Sequence, residues 1–263
     1  MEILGYIASI LIGITLGLIG GGGSILTVPV MVYLFSVSPQ LATCYSLFVV
    51  GTTSLAGVIT RLKTGTVKPN IAILFATTSV VTVYLTRKFI VPALPKVLFS
   101  IGSLQVTEPL ATMVLFAILM LMSAISMIRS GNKKLKPEAV VKIDHSRLAL
   151  YGIGIGLVTG FLGAGGGFLI IPSLVLLCGL NMKEAVATSL LIIAANSLIG
   201  FVGDIGHFVI DWKLLGIVTT LAITGILIGS QLAKKINNEQ LKKAFGWFVL
   251  VMGIYIIVKE LFL

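Results

Sequence analysis

The sequence predicts an all-α polytopic membrane protein made of two repeat-related halves, with its first and fifth helices broken or re-entrant. Three observations carry this expectation. Hydrophobic residues make up 57% of the 263 residues and charged residues only 11%, against about 25% charged in soluble domains. Apolar runs of spanning length, ~20 residues, recur at roughly 3–35, 41–60, 70–90, 109–128, 148–180, 185–203, 213–231 and 244–262. Residues 13–69 align without a gap on residues 156–212 at a constant offset of 143, and fifteen of those 57 pairs are identical. The alternation of a β-barrel is absent, so the spans are read as helices.

The first segment runs for about 33 residues, ~50 Å as a single helix, whereas the hydrocarbon core is ~30 Å thick. Its middle reads GLIGGGGSILTVP. Four successive glycines each cost roughly 1 kcal/mol in a helix interior relative to alanine. A break is expected within 19–24, giving two half-helices that either cross or fold back. Glu2 replaces a basic leader and no small-residue cleavage site follows clearly, so a cleaved signal peptide is not expected.

The second segment carries Thr43, Ser46, Thr52, Thr53 and Ser54, and Ser46, Thr53, Ser54 and Gly57 share one helical face. After the third segment, residues 92–108 hold two prolines and read as an ordered excursion at the membrane surface. Beyond the fourth lies the only long polar stretch, residues 130–147. The expected organisation is therefore an N-terminal transmembrane repeat at 1–129, a cytoplasmic linker at 130–147 and a C-terminal transmembrane repeat at 148–263. The fifth segment repeats the first, GFLGAGGGFLIIP, with a break expected within 162–168. The sixth carries Thr188, Ser189, Asn196 and Ser197, and the loop at 232–243 is short and basic.

The net charge of +10 suits basic loops held on the cytoplasmic side, and no nucleic-acid partner is expected. Two simple crossings at segments one and five would make the repeats parallel. Two fold-backs would make them inverted, and would place both the 130–147 linker and the Lys234/Lys235/Lys242/Lys243 loop in the cytoplasm. The basic residues favour inversion, although Arg87, Lys88 and Lys96, read as a loop, then lie outside. Cys44 and Cys178 have no paired spacing, so free thiols are expected and no metal ligand set. Glu108, Glu184, Asp204 and Asp211 sit near segment ends, His207 in a surface loop, and no acidic chain suggests a proton relay.

The glycine clusters lack the lysine and the strand–turn–helix setting of nucleotide motifs. Gly13, Gly17, Gly156 and Gly160 have the small-residue spacing of close helix packing. The contiguous glycines exceed what packing needs. They expose backbone N–H groups where a half-helix points its positive end into the membrane, which is an anion site. The candidate substrate contacts are Gly21, Gly22, Gly23 and Ser24 from the first break and Gly165, Gly166 and Gly167 from the second. Ser46, Thr53, Ser54, Ser189, Asn196 and Ser197 join them, with interhelical hydrogen bonding as the alternative role. The Asn196 amide can donate twice to an oxyanion.

These paired glycine–proline segments, ATSL at 187–190 and the Gly-His-aromatic-Val-Ile-Asp-Trp stretch at 206–212 resemble the sulfite exporter TauE/SafE family. The first half reads CYSL at 44–47 and VKPN at 67–70 in the corresponding places. The resemblance covers nearly the whole chain. It implies a secondary transporter of small sulfur-containing anions, such as sulfite or organosulfonates, in the plasma or inner membrane of a prokaryote. No cofactor is expected. The partners are a small anionic substrate and the lipid bilayer, with a homodimer left open. An anion channel and a carrier for a non-sulfur small carboxylate are the alternatives. An enzyme would need a converged constellation at membrane depth, which the sequence does not offer.

Overall fold

The computed structural model describes residues 2–62, 65–95, 97–101, 104–129, 145–163 and 165–262. Most of the linker expected at 130–147 lies outside them, although a helix already begins at His145. Among the described residues, six helical stretches are long and apolar enough to cross a membrane: α3 (Pro39–Leu62), α4 (Pro69–Leu85, its stretch continuing through further turns to Ala93), α5 (Glu108–Arg129), α8 (Met182–Asp204), α9 (Trp212–Lys235) and α10 (Asn238–Phe262). The other described helices are α1 (Glu2–Ile19), α2 (Gly22–Tyr33), α6 (His145–Leu162) and α7 (Gly167–Leu176). Many large apolar side chains, among them Ile3, Ile73, Val81 and Val251, point outward, as surfaces in contact with lipid tails do.

The first and fifth apolar segments are each two helices. The breaks fall at residues 20–21 and 163–166, inside the expected windows. Both segments fold back. Gly13 and Gly17 of α1 lie against Ala222, Ile226 and Ser230 in ascending order along α9, so α1 runs parallel to α9. α2 then returns, and the Tyr6 ring meets Phe35 just beyond it at 5.4 Å between centroids. In the same way Gly152, Gly156 and Gly160 climb along Phe75, Ser79 and Thr86. The packing expected of these glycines is what the structure has.

Equivalent helices of the two halves run antiparallel. Lys68, just after α3, pairs with Glu184 in the first turn of α8 at 3.0 Å, while Gln40 of α3 and Asp204 of α8 line one cavity at the opposite end. Likewise Gly246 of α10 meets Ile128 of α5, and Gly253 meets Leu121 and Ala117. Contacts recur at the 143-residue offset. Gly57 touches Ile226 and Leu190, and Gly200 touches Val83 and Leu47. α3 and α8 cross at the centre, α1–α9 and α6–α4 flank them, and α5 pairs with α10.

The molecule therefore has two ends. At the linker end lie the end of α3, the start of α8 and the α9–α10 junction. At the hairpin end, α4 widens into a π-helical turn (Thr86–Ile90) and then narrows to a 3-10 turn (Val91–Ala93). An antiparallel hairpin follows, β1 (Val97–Ile101) with β2 (Leu104–Thr107). This is the ordered excursion expected at 92–108, and the strands are its departure from an all-α description. Cys44 and Cys178 are free, and burial pushes the Cys178 thiol up.

Close backbone approach gives a stability prediction. A Cβ on Gly13 would collide with the Ala222 carbonyl of α9, whereas one on Gly154 meets nothing within 4 Å. Gly13→Ala is expected to lower the thermal unfolding temperature of the purified protein clearly, and Gly154→Ala to leave it unchanged or raise it slightly. Equal behaviour of the two would mean that α1 does not seat on α9 this closely.

Candidate functional site

The two glycine breaks meet at the centre. A Cβ on Gly21 would strike the backbone of Gly167, and one on Gly167 would strike Gly21 Cα. Gly20 and Gly163, equivalent by the offset, both adopt left-handed φ, 77° and 64°, which glycine tolerates without a Cβ penalty. Beyond them the breaks differ. Gly165 and Gly166 remain left-handed at φ 65° and 71°, whereas their counterparts Gly22 and Gly23 already open α2. Gly23 packs on Ile12 and Leu16 of α1. The contiguous glycines thus make the turns and the contact between them, and a substitution there tests folding before it tests binding. Gly166→Leu would need a left-handed leucine whose Cβ collides with Thr159 Oγ1. Loss of folded protein is the expected result, read by size-exclusion yield in detergent.

The candidate contacts Ser46, Thr53, Ser54, Ser189, Asn196 and Ser197 of α3 and α8 are all fully buried, and most lack a partner. Ser46 Oγ, Thr53 Oγ1, Ser54 Oγ, Ser197 Oγ and Asn196 Nδ2 are buried polar atoms without a hydrogen bond in the protein. Such orphans are uncommon in native structures and mark a site for water or a ligand. Two expected residues are committed locally. Ser24 donates to the Gly21 carbonyl at 2.7 Å, and Ser189 donates to the Val186 carbonyl at 2.9 Å. Asn196 is held by Ser79 of α4, whose hydroxyl donates to Oδ1 at 2.8 Å, leaving the amide N–H₂ unpartnered. A Cβ on Gly165 would lie 2.9 Å from Ser197 Oγ, so Ser197 borders the second break.

An ion pair missed in the sequence lies at the hairpin end. Arg87, in the π-helical turn after α4, donates from Nη1 to Asp204 Oδ2 at 3.1 Å and to Thr43 Oγ1 at 3.2 Å. The two side chains are 1% and 3% exposed. A Cβ on Gly163 would run into Arg87 Nη2, so the guanidinium rests against the second break. Arg87 is therefore not a loop charge, which takes one of the three basic residues out of the misfit; Lys88 remains exposed and Lys96 lies outside the described residues. A cavity of about 250 Å³ opens beside it, lined by Gln40, Val91, Leu94, Asp204, the exposed His207 and Phe208.

The linker end carries the counterpart. A cavity of about 380 Å³ is lined by Thr60, Arg61, Lys183, Ser230, Gln231 and Lys234. Arg61 donates to the Gly17 carbonyl in the last turn of α1, where a cation suits the negative end of the helix. Arg61 stands 143 residues before Asp204, and Arg87 stands 143 before Ser230. Each break thus has one arginine beside it, drawn from non-equivalent positions of the repeat. The signal available in the sequence was Arg87 itself, charged yet inside the 70–90 apolar run.

A family model described as "Sulfite exporter TauE/SafE" matches residues 5–256. A "Probable membrane transporter protein" of Xylella fastidiosa strain 9a5c is 30% identical, over 94% of this chain and 91% of that protein. The "Probable membrane transporter protein YunE" of Bacillus subtilis strain 168 is 29% identical, over 98% and 93%. No solved structure matches the chain. With its broken apolar helices, six span-length helices and buried polar track, the chain is a multi-pass membrane transporter belonging to the sulfite exporter TauE/SafE family.

Proposed function

We propose that this transporter is a secondary carrier of small oxyanions, sulfite or organosulfonates, working by alternating access with export favoured. The observation that carries the reading is the row of buried, unpartnered donors between two cavities at opposite ends. The antiparallel arrangement of equivalent helices supports inverted repeats, which exchange conformations about a fixed central site. The contact between Gly21 and Gly167 suits a carrier better than an open channel. Export of an anion from a negative-inside cell is downhill by ~2.3 kcal/mol per charge per 100 mV, so no coupling ion is required in that direction.

The test is uptake of labelled sulfite into proteoliposomes, competed by thiosulfate, sulfoacetate, taurine, sulfate and acetate. Saturable uptake with a sulfonate or sulfite preference supports the reading. Preference for acetate would assign a carboxylate carrier instead. Orientation is tested with single cysteines at positions 133, 206 and 240 in a variant lacking Cys44 and Cys178. Positions 133 and 240 are expected to label only from the cytoplasm and 206 only from outside. Opposite sidedness of 133 and 240 would contradict inverted repeats.

A further inference from the structure

We infer that Asp204 is a built-in stand-in for the transported anion at the hairpin end. Its carboxylate occupies the Arg87 guanidinium when no anion is bound, and the arriving oxyanion displaces it. The inference rests on the anion-carrier reading and assigns a residue-level role within it.

Four observations support the exchange. Arg87 is 1% exposed, yet only Nη1 is used. Nε and Nη2 are buried without any hydrogen bond. A guanidinium offers five donors in a fork shaped for an oxyanion, so the present pairing, through a single nitrogen, leaves much of that fork unmet. Second, Arg87 and Asp204 face different cavities. Asp204 lines the outer one of about 250 Å³, while Arg87 lines an inner one of about 20 Å³, together with Thr43, Met113 and Phe161. Gln40, Val91 and Phe208 border both, so the ion pair straddles the wall between them. The inner space holds about one water, so it must widen to admit an anion.

Third, the arginine sits in the π-helical turn Thr86–Ile90, a backbone irregularity common at functional sites. Fourth, it rests against Gly163, where the second half-helix begins to unwind. Displacing the carboxylate keeps the guanidinium paired throughout, so no buried charge is left alone during opening. It also frees Asp204 to swing toward the outer cavity, which unlocks α8 from α4. Anion binding and opening of the hairpin end are thereby the same event. At the linker end Arg61 stands where the repeat would place the acid and Ser230 where it would place the arginine, so the two gates are unlike.

The experiment follows thermal unfolding of the purified, full-length transporter against sulfite concentration at constant ionic strength, with sulfate and acetate as comparison probes. Asp204→Asn is isosteric and no longer competes, so sulfite is expected to stabilise it at a concentration at least tenfold lower than wild type. A variant that folds only with sulfite present counts the same way. The double variant Arg87→Gln/Asp204→Asn carries no unpaired charge, is expected to fold without anion, and should lose the hairpin-end response to sulfite. Proteoliposome uptake of Asp204→Asn should show weakened coupling between binding and turnover, with lower KM and lower kcat.

An Asp204→Asn protein with unchanged sulfite dependence, or a double variant with wild-type dependence, overturns the stand-in role while leaving wild-type transport intact. A wild-type protein inert to every anion overturns the carrier reading and the exchange with it.

Discussion

Replacing Arg87 by Gln is expected to cost about 3–5 kcal/mol of stability and to abolish transport. The carboxylate of Asp204 is 3% exposed and has its salt-bridge partner in Arg87. Removing the cation leaves a buried charge with only the weak Cys44 thiol hydrogen bond in place of its salt bridge. Adding Asp204→Asn should recover most of the lost stability, because the charge is removed along with its partner, but not the transport. Thermal unfolding in detergent measures the first effect and proteoliposome uptake the second. A single variant that unfolds at the wild-type temperature would mean that water reaches the pair, and the argument from burial would fail.

Asn196→Ala is expected to weaken anion affinity by roughly 5- to 150-fold, the equivalent of about 1–3 kcal/mol for a buried oxyanion left underpaired. Its Nδ2 is buried and unpartnered, and Oδ1 is already taken by Ser79. Ser79→Ala is the matched comparison. It removes the same interhelical hydrogen bond but no free donor, so its effect on affinity should stay under about tenfold. Equal losses in the two variants would reduce Asn196 to a packing residue. The measured quantity is the concentration dependence of sulfite uptake, normalised to folded protein.

The helical class, the two breaks and the packing of Gly13, Gly17, Gly156 and Gly160 were legible because they rest on backbone physics. A glycine run in an apolar segment has few ways to be satisfied in lipid, and small residues four apart align on one helix face. The fold-back was legible only as one of two options, since hydropathy does not register direction. What decided it was helix pairing between the halves, α1 on α9 and α6 on α4. The polar face of α3 and α8 was also readable, from Ser46, Thr53, Ser54, Asn196 and Ser197. Their freedom from local partners was not readable, as Ser24 and Ser189 show by bonding to nearby carbonyls.

The Arg87–Asp204 pair escaped the sequence for a physical reason. Each residue lies near the end of an apolar run, where long charged side chains usually reach the interface. Only the crossing of α4 with α8 turns both inward, 117 positions apart. The packing of the contiguous glycines was not readable either. Their number suggested an exposed nest of N–H groups, whereas the breaks press against each other at Gly21 and Gly167. The unpartnered donors lie beside that contact, on α3, α8 and Arg87, rather than between the two clusters.

Counterflow in proteoliposomes tests the central claim most directly. Vesicles holding the wild-type protein are preloaded with unlabelled sulfite, and the entry of labelled sulfite is followed. A carrier with one central site reached alternately from two ends predicts that preloading accelerates entry, and that the rate saturates with external sulfite. Flux that rises linearly with concentration and ignores the internal load would contradict alternating access and make this chain an anion channel.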